Sequence, residues 1–177
     1  MKTFTLALSL LLLAGCFGPQ RTFEADPSGY GMYVATTNIA ADSDLKVQQE
    51  GSGQLFVLKN EHHNGTGDTA YILASLPPGR YHLEVYSPDG LHLYPISTEN
   101  GWFEVQANCY NYGGYYEFQQ GGDALPSYKN TTTLENIQNL PDAYKDPARN
   151  HDICDATMGH TSERLAAADV ARLMPGL

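Results

Sequence analysis

Apolar and polar residues alternate most clearly between Arg80 and Tyr86. Tyr81, Leu83 and Val85 share one face of that segment, and His82, Glu84 and Tyr86 share the other, the period of a half-buried strand. Trp102 to Gln106 alternates in the same way, with Phe103 and Val105 inward. Between the two, Pro88-Asp89-Gly90 makes a turn. Leu91, Leu93 and Pro95-Ile96 predict a short edge strand, because proline cannot donate to a central ladder. Upstream, Met32 to Ile39 and Thr69 to Leu76 read as strands. Leu55-Phe56-Val57-Leu58 is an unbroken apolar run, which predicts a strand that is central or buried on both faces. Downstream, Tyr110 to Phe118 reads as a strand with a bulge or sharp bend at Gly113-Gly114. Polar, turn-prone stretches at Asp42–Gly53 and Asn60–Asp68 separate these segments. About seven short strands, with turn signals roughly every 8–12 residues, predict a mainly β fold, an antiparallel β-sandwich.

The alternation fades after Gln119, and Gly121-Gly122-Asp123 and Pro126 mark a boundary. Thr131 to Ile137 is a candidate for one more strand, and Pro141 to Asn150 reads as loop. Thr161 to Met174 predicts a short C-terminal helix. Thr161 suits its N-cap, and Glu163 suits the positive end of its dipole. Ala166, Val170, Leu173 and Met174 form one apolar stripe, and Pro175-Gly176 ends the helix. The expected organisation is a leader over 1–15, a tether over 16–29, the β-domain over 30–120 and an irregular extension over 121–177.

The leader rests on its own pattern. Met1-Lys2 is a short positive segment, and Phe4 to Leu13 is an apolar run too short to span a bilayer. Leu13-Ala14-Gly15-Cys16 follows, with small residues that open an extended backbone to a peptidase and a thiol for alkylation. These four residues resemble the lipobox of bacterial lipoproteins. The resemblance implies a diacylglyceryl thioether on Cys16, cleavage before it and an acylated α-amine. Several acyl chains on one residue make an effectively permanent anchor. Phe17 follows the cysteine where an aspartate retains enteric lipoproteins at the inner membrane, so the resemblance places the protein at the outer membrane, its domain facing the periplasm.

Charge narrows the partners. The chain carries 20 acidic and 10 basic residues, and loss of Lys2 with the leader takes the formal charge from −10 to −11. That argues against the basic face that phosphate contacts require, so no nucleic-acid partner is expected. Membrane attachment is expected from the lipid. Two cysteines remain beside Cys16, and in an oxidising compartment Cys109 and Cys154 are expected to pair. Two buried free thiols are one alternative, and a metal or redox pair, which no Cys-x-x-Cys supports, is the other. A bridge closing a loop of about 45 residues stabilises by roughly 4 kcal/mol in the chain-entropy description.

A second resemblance covers roughly Tyr33 to Phe118. Leu76-Pro77-Pro78-Gly79-Arg80-Tyr81-His82-Leu83, followed by Phe103-Glu104-Val105 and a tyrosine-rich strand from Tyr110 to Tyr116, is similar to small periplasmic domains of transthyretin-like (prealbumin-like) topology. It implies the sandwich fold and carries no catalytic residues over.

Candidate chemistry is sparse. There is no Gly-x-Ser-x-Gly elbow, phosphate loop or dinucleotide fingerprint. His62-His63 lie beside Glu61 and Asp68, and His82 and His92 share an outward face near Glu84. A third group joins Asn150, His151, Asp152, Asp155 and His160. Imidazoles with a carboxylate suit Zn²⁺ or Cu²⁺, but this spacing is scattered, and neither a metal nor another cofactor is expected. The aromatics say more. There are 12 Tyr against 6 Phe and 1 Trp. Tyr86, Tyr94, Trp102, Tyr110, Tyr112, Tyr115 and Tyr116 cannot all point inward from alternating strands. Aromatics with a polar handle favour interfaces and stack on sugar rings. Tyr86, Trp102, Tyr112 and Tyr115 are therefore the candidate binding surface. The expected role is a lipid-anchored, non-catalytic interaction or assembly module with an envelope protein partner. The alternative is a small glycan- or metal-binding protein.

Overall fold

A computed structural model describes residues 29–38, 44–62, 69–87, 94–96, 101–119, 127–130 and 134–175. The leader, Cys16 and nearly all of the tether lie outside those residues. The fold is mainly β, with two sheets and a short helix near the C-terminus. In chain order the strands are β1 (Gly31–Thr37), β2 (Asp44–Gln49), β3 (Leu55–His62), β4 (Ala70–Leu76), β5 (Gly79–Ser87), β6 (Tyr94–Pro95), β7 (Trp102–Val105), β8 (Cys109–Gln119), β9 (Ser127–Asn130), β10 (Asp152–Asp155) and β11 (Glu163–Arg164).

Sheet A runs β11-β10-β8-β1-β4-β3, with β9 also on β8. Sheet B runs β3-β2-β5, with β6 and β7 pairing opposite ends of β5. Strand β3 serves both. Its first half pairs β2, and Asn60 to His62 pairs β4. Most pairs are antiparallel, as expected, but β1 runs parallel to β8 and β8 parallel to β10. The all-antiparallel expectation fails there because neighbours distant in sequence, unlike hairpin strands, are free to run in the same direction.

The alternation reads through well. Tyr81, Leu83, Phe103 and Val105 are buried and meet Tyr33, Ala35, Leu45, Val47, Ile72 and Tyr116 in one core between the sheets. Aromatic rings run through it, with Tyr33 stacked on Phe103 at 4.1 Å and Phe103 on Tyr81 at 5.4 Å. Val85 departs from the expected face. The β2–β5 register slips where Lys46 pairs Val85 but Val47 pairs Leu83, so Glu84 is a bulge and resets the alternation. The glycine bend also holds. Val34 pairs Tyr112 and Ala35 pairs Gly114, which leaves Gly113 as the extra residue. A Cβ on Gly113 would collide with the hydroxyls of Tyr33 and Tyr116, which bond each other at 2.5 Å in the core.

The C-terminal region is more ordered than the sequence predicts. Leu134–Asn139 is a 3₁₀ helix, where a strand was expected over Thr131 to Ile137; residues 131–133 lie outside the description. Leu134, Ile137 and Leu140 recur every third residue, the repeat that a 3₁₀ turn eclipses. The expected loop from Pro141 holds α1 (Asp142–Lys145) and a second 3₁₀ turn (Asp146–Asn150), which bury Tyr144 and Ala148. The last helix, α2, spans only Ala167–Leu173. It begins after Thr161 because Glu163 and Arg164 pair β10 and the Leu165 N–H donates to Ile153 O. Its N-cap is Ala166, without a side-chain bond. Leu173 and Met174 are buried, Val170 is half-buried and Ala166 is exposed, so the predicted stripe docks by its C-terminal end.

These helices lie on the far face of sheet A. A second core there gathers Met32, Val34, Tyr71, Leu73, Tyr110 and Tyr112 with Ile137, Leu140, Tyr144, Ile153 and Leu173. Sheet A is thus covered on both sides, which is why every residue of β1 is buried. Cys109 and Cys154 form a disulfide across β8 and β10, with Cα atoms 6.0 Å apart.

Candidate functional site

Three of the four candidate aromatics have described side chains, and they do not converge. Tyr112 is fully buried in the second core. It fails as a surface residue because the C-terminal layer covers the face that alternation alone leaves open. Burial raises its hydroxyl pKa, and the charge of Asp155 raises it further. No hydrogen-bond partner reaches that hydroxyl among the described residues. Tyr110 is also buried, but its hydroxyl donates to Tyr144 O at 2.7 Å. Tyr115 is half-buried on the same face of sheet A. Burial and then the charge of Glu117 raise its pKa. The side chain of Tyr86 lies outside the described residues.

Trp102 sits instead on the outer face of sheet B. Cross-strand register builds that face in rows. Leu55, Gln48, His82 and Trp102 form one row, and Val57, Lys46, Val85 and Pro95 form the next. Arg80 pairs Glu104 beyond them. The Arg80 guanidinium lies 4.1 Å over the Trp102 ring, a cation–π contact that occupies one ring face. Glu50 reaches Arg80 and His82, each at 3.7 Å. Glu104 accepts from the Ser162 N–H at 3.1 Å, which ties β7 to the C-terminal region.

The apolar run of β3 departs most from its sequence reading. Leu55 and Val57 are 59% and 48% exposed, the large hydrophobics most open to solvent among the described residues. The run is not central. In sheet B, β3 is an edge, and β4 joins it only from Asn60 onward. The hairpin fixes what that edge offers. The Gln49 N–H donates to Gln54 O at 2.9 Å, so Gln49–Gln54 is a hydrogen-bonded pair, and pair types alternate from there. Leu55 and Val57 fall in the intervening pairs, with N–H and C=O directed away from β2. Neither alternation nor composition signals this; it depends on where β3 leaves sheet B.

The histidine groups are engaged separately. His151 Nδ1 lies 2.7 Å from Pro147 O. Asp152 accepts from Arg164 at 2.7 Å, and Asp155 accepts from the Thr157 backbone at 2.9 Å. Among the described residues no three His, Cys, Asp or Glu side chains group to hold a metal. His63, Asp68 and His92, and the side chains of Glu61 and His62, lie outside the description. A cavity of about 370 Å³ between α1 and α2 is lined by Lys145, Arg149 and Met174. Lys145 pairs Asp142 at 3.0 Å and Arg149 pairs Asp146 at 3.2 Å, so both cations are already paired. No helix among the described residues is long and apolar enough to cross a membrane.

No protein-family model matches the chain, and no curated protein matches it. Among solved structures, a leucine-rich repeat protein from Bacteroides thetaiotaomicron is similar to it at 16% identity and a TM-score of 0.30. That alignment covers 64% of this chain and 15% of the other, an overlap too loose to assign a common fold.

Proposed function

We propose that the protein is a lipid-anchored, non-catalytic interaction module of the bacterial cell envelope. It is tethered through Cys16 to the outer membrane, faces the periplasm and carries a prealbumin-like β-sandwich. The lipobox Leu13-Ala14-Gly15-Cys16 supports the anchoring. The observation that carries the interaction role is the β3 edge, where Leu55 and Val57 pair exposed apolar side chains with outward backbone groups. Folded proteins normally blunt such an edge with charge, proline or cover. An extended partner strand gains main-chain hydrogen bonds there and buries both side chains.

The test is a crosslinking pull-down of the lipidated protein from intact cells, beside Cys16→Ser and Val57→Lys variants. The expected result is one stoichiometric envelope protein, lost in both variants. Recovery of no partner, or of the same partner with Val57→Lys, overturns this role for the edge.

A further inference from the structure

A smaller cavity, of about 210 Å³, lies between the outer face of sheet A and the 3₁₀ helix Leu134–Asn139. Thr36 of β1, Tyr71 of β4 and Tyr115 of β8 face it with Thr69, Asn136 and Asn139, and Leu140 completes the wall. The chemistry of that wall is unusual for this chain. About a sixth of all residues are charged, at 17%, yet among the described residues no lining side chain is ionised at neutral pH. A site for an anion, a cation or a metal needs a countercharge, and the described lining residues carry none.

Hydroxyls and carboxamides dominate the lining instead. Such groups both donate and accept, as do the hydroxyls of a sugar. Thr36 marks the point. It is buried on a strand whose neighbours in this layer are Met32 and Val34. Its hydroxyl donates to Gly114 O at 3.2 Å, which leaves its lone pairs able to accept. An apolar occupant takes the Asn136 and Asn139 carboxamides out of water, at a cost of about 1–3 kcal/mol for each one buried. The tyrosine rings and Leu140 supply the apolar complement. Tyr71 is held in place by stacking on Tyr144 at 4.8 Å. Tyr115 is half-buried, and Asn139 is exposed at the mouth. The space takes a pyranose ring and opens to solvent beyond it.

We propose that this cavity binds a single neutral sugar unit, free or at the end of a glycan, with its hydroxyls on Thr36, Asn136 and Asn139 and its C–H face on Tyr115. The site lies on sheet A, away from the β3 edge, so it stands or falls independently of the interaction role.

The test is calorimetric titration of the full-length lipidated protein in a detergent without a sugar headgroup. The probes are neutral monosaccharides (glucose, galactose, mannose, N-acetylglucosamine), their short oligosaccharides and glucuronate. At least one neutral sugar is expected to bind at about millimolar Kd, the weak range for so small a contact. Glucuronate is expected to bind more weakly, because Glu117 stands near the Tyr115 hydroxyl. Tyr115→Ala and the isosteric Thr36→Val should each weaken binding about tenfold, and Trp102→Ala should leave it unchanged. Tighter binding of an oligosaccharide than of its terminal unit assigns a glycan end; equal binding assigns the free sugar. The proposal is overturned if no neutral sugar binds, if glucuronate binds equally well, or if a folded Tyr115→Ala protein binds like the wild type.

Discussion

Sheets A and B are woven from the same kind of short alternating strand, and one strand, β3, belongs to both. Their outer faces nevertheless have opposite fates. The outer face of sheet A carries Tyr71, Tyr110 and Tyr112 under a layer of short helices. The outer face of sheet B carries Arg80, His82, Trp102 and Glu104, with Leu55 and Val57 open at its edge. Alternation marks two faces on a strand but does not say how many are covered. Where a later segment supplies cover, outward tyrosines become core and their hydroxyls need partners. Tyr110 finds Tyr144 O, whereas Tyr112 finds none among the described residues.

That contrast is sharpest at high pH. Burial raises the pKa of Tyr33, Tyr110, Tyr112 and Tyr116 above the ordinary tyrosine value of 10.0. The unfolded chain therefore releases these protons before the folded one does. Their contribution to stability is full below about pH 10 and is lost as pH rises beyond it. Circular dichroism with phenolate absorbance should show these tyrosines ionising only as the fold is lost. Their titration in a still-folded protein would refute two-sided burial of sheet A.

The disulfide is expected to have the next largest effect. Replacing Cys109 and Cys154 by alanine should cost roughly 4 kcal/mol in thermal or urea unfolding. Because the bridge joins β8 to β10, protease cleavage should appear first in the C-terminal layer. Gly113→Ala drives a methyl group into the Tyr33 and Tyr116 hydroxyls. It should cost about 1–3 kcal/mol, as overpacking does, and adding Tyr33→Phe should recover part of the loss.

Two hydroxyl deletions separate satisfied from unsatisfied groups within the same buried layer. Tyr110→Phe removes the bond to Tyr144 O and should cost about 1 kcal/mol. Tyr112→Phe removes an unpartnered hydroxyl and should be neutral or slightly stabilising. The smallest effect is expected on sheet B. Glu50→Gln, at an exposed ion pair with Arg80, should shift stability by less than about 0.5 kcal/mol. A large loss there would mean that sheet B is covered too.

Much of the fold is legible in local pattern. Tyr81, Leu83, Phe103 and Val105 alternate into the core, Gly113 marks a bulge and Pro95 marks a short edge strand. Cys109 and Cys154 pair as their number suggested. What escaped was decided by distant contacts. Leu55-Phe56-Val57-Leu58 has the composition of a central strand and lies at an edge, because β3 changes sheets two residues later, at Asn60. Glu163 and Arg164 fit a helical turn and were drawn into β11 by β10. Of the candidate aromatics, Trp102 and Tyr115 keep some access to solvent but lie on different sheets. Tyr112 is hidden by a layer whose three-residue repeat matches neither the strand nor the α-helix period.

The position of β1 also has a kinetic consequence. It is the first described strand to leave the ribosome, yet it lies between β4 and β8. Its contact from Thr36 to Gly114 spans 78 residues. At about 5–20 residues per second, that stretch takes roughly 4–16 s to synthesise. Throughout that interval Met32, Tyr33, Val34 and Ala35 have an open flank on the β8 side, and so long a loop is slow to close afterwards. The nascent chain therefore carries an apolar strand in waiting, a natural substrate for a holding chaperone until β8 arrives.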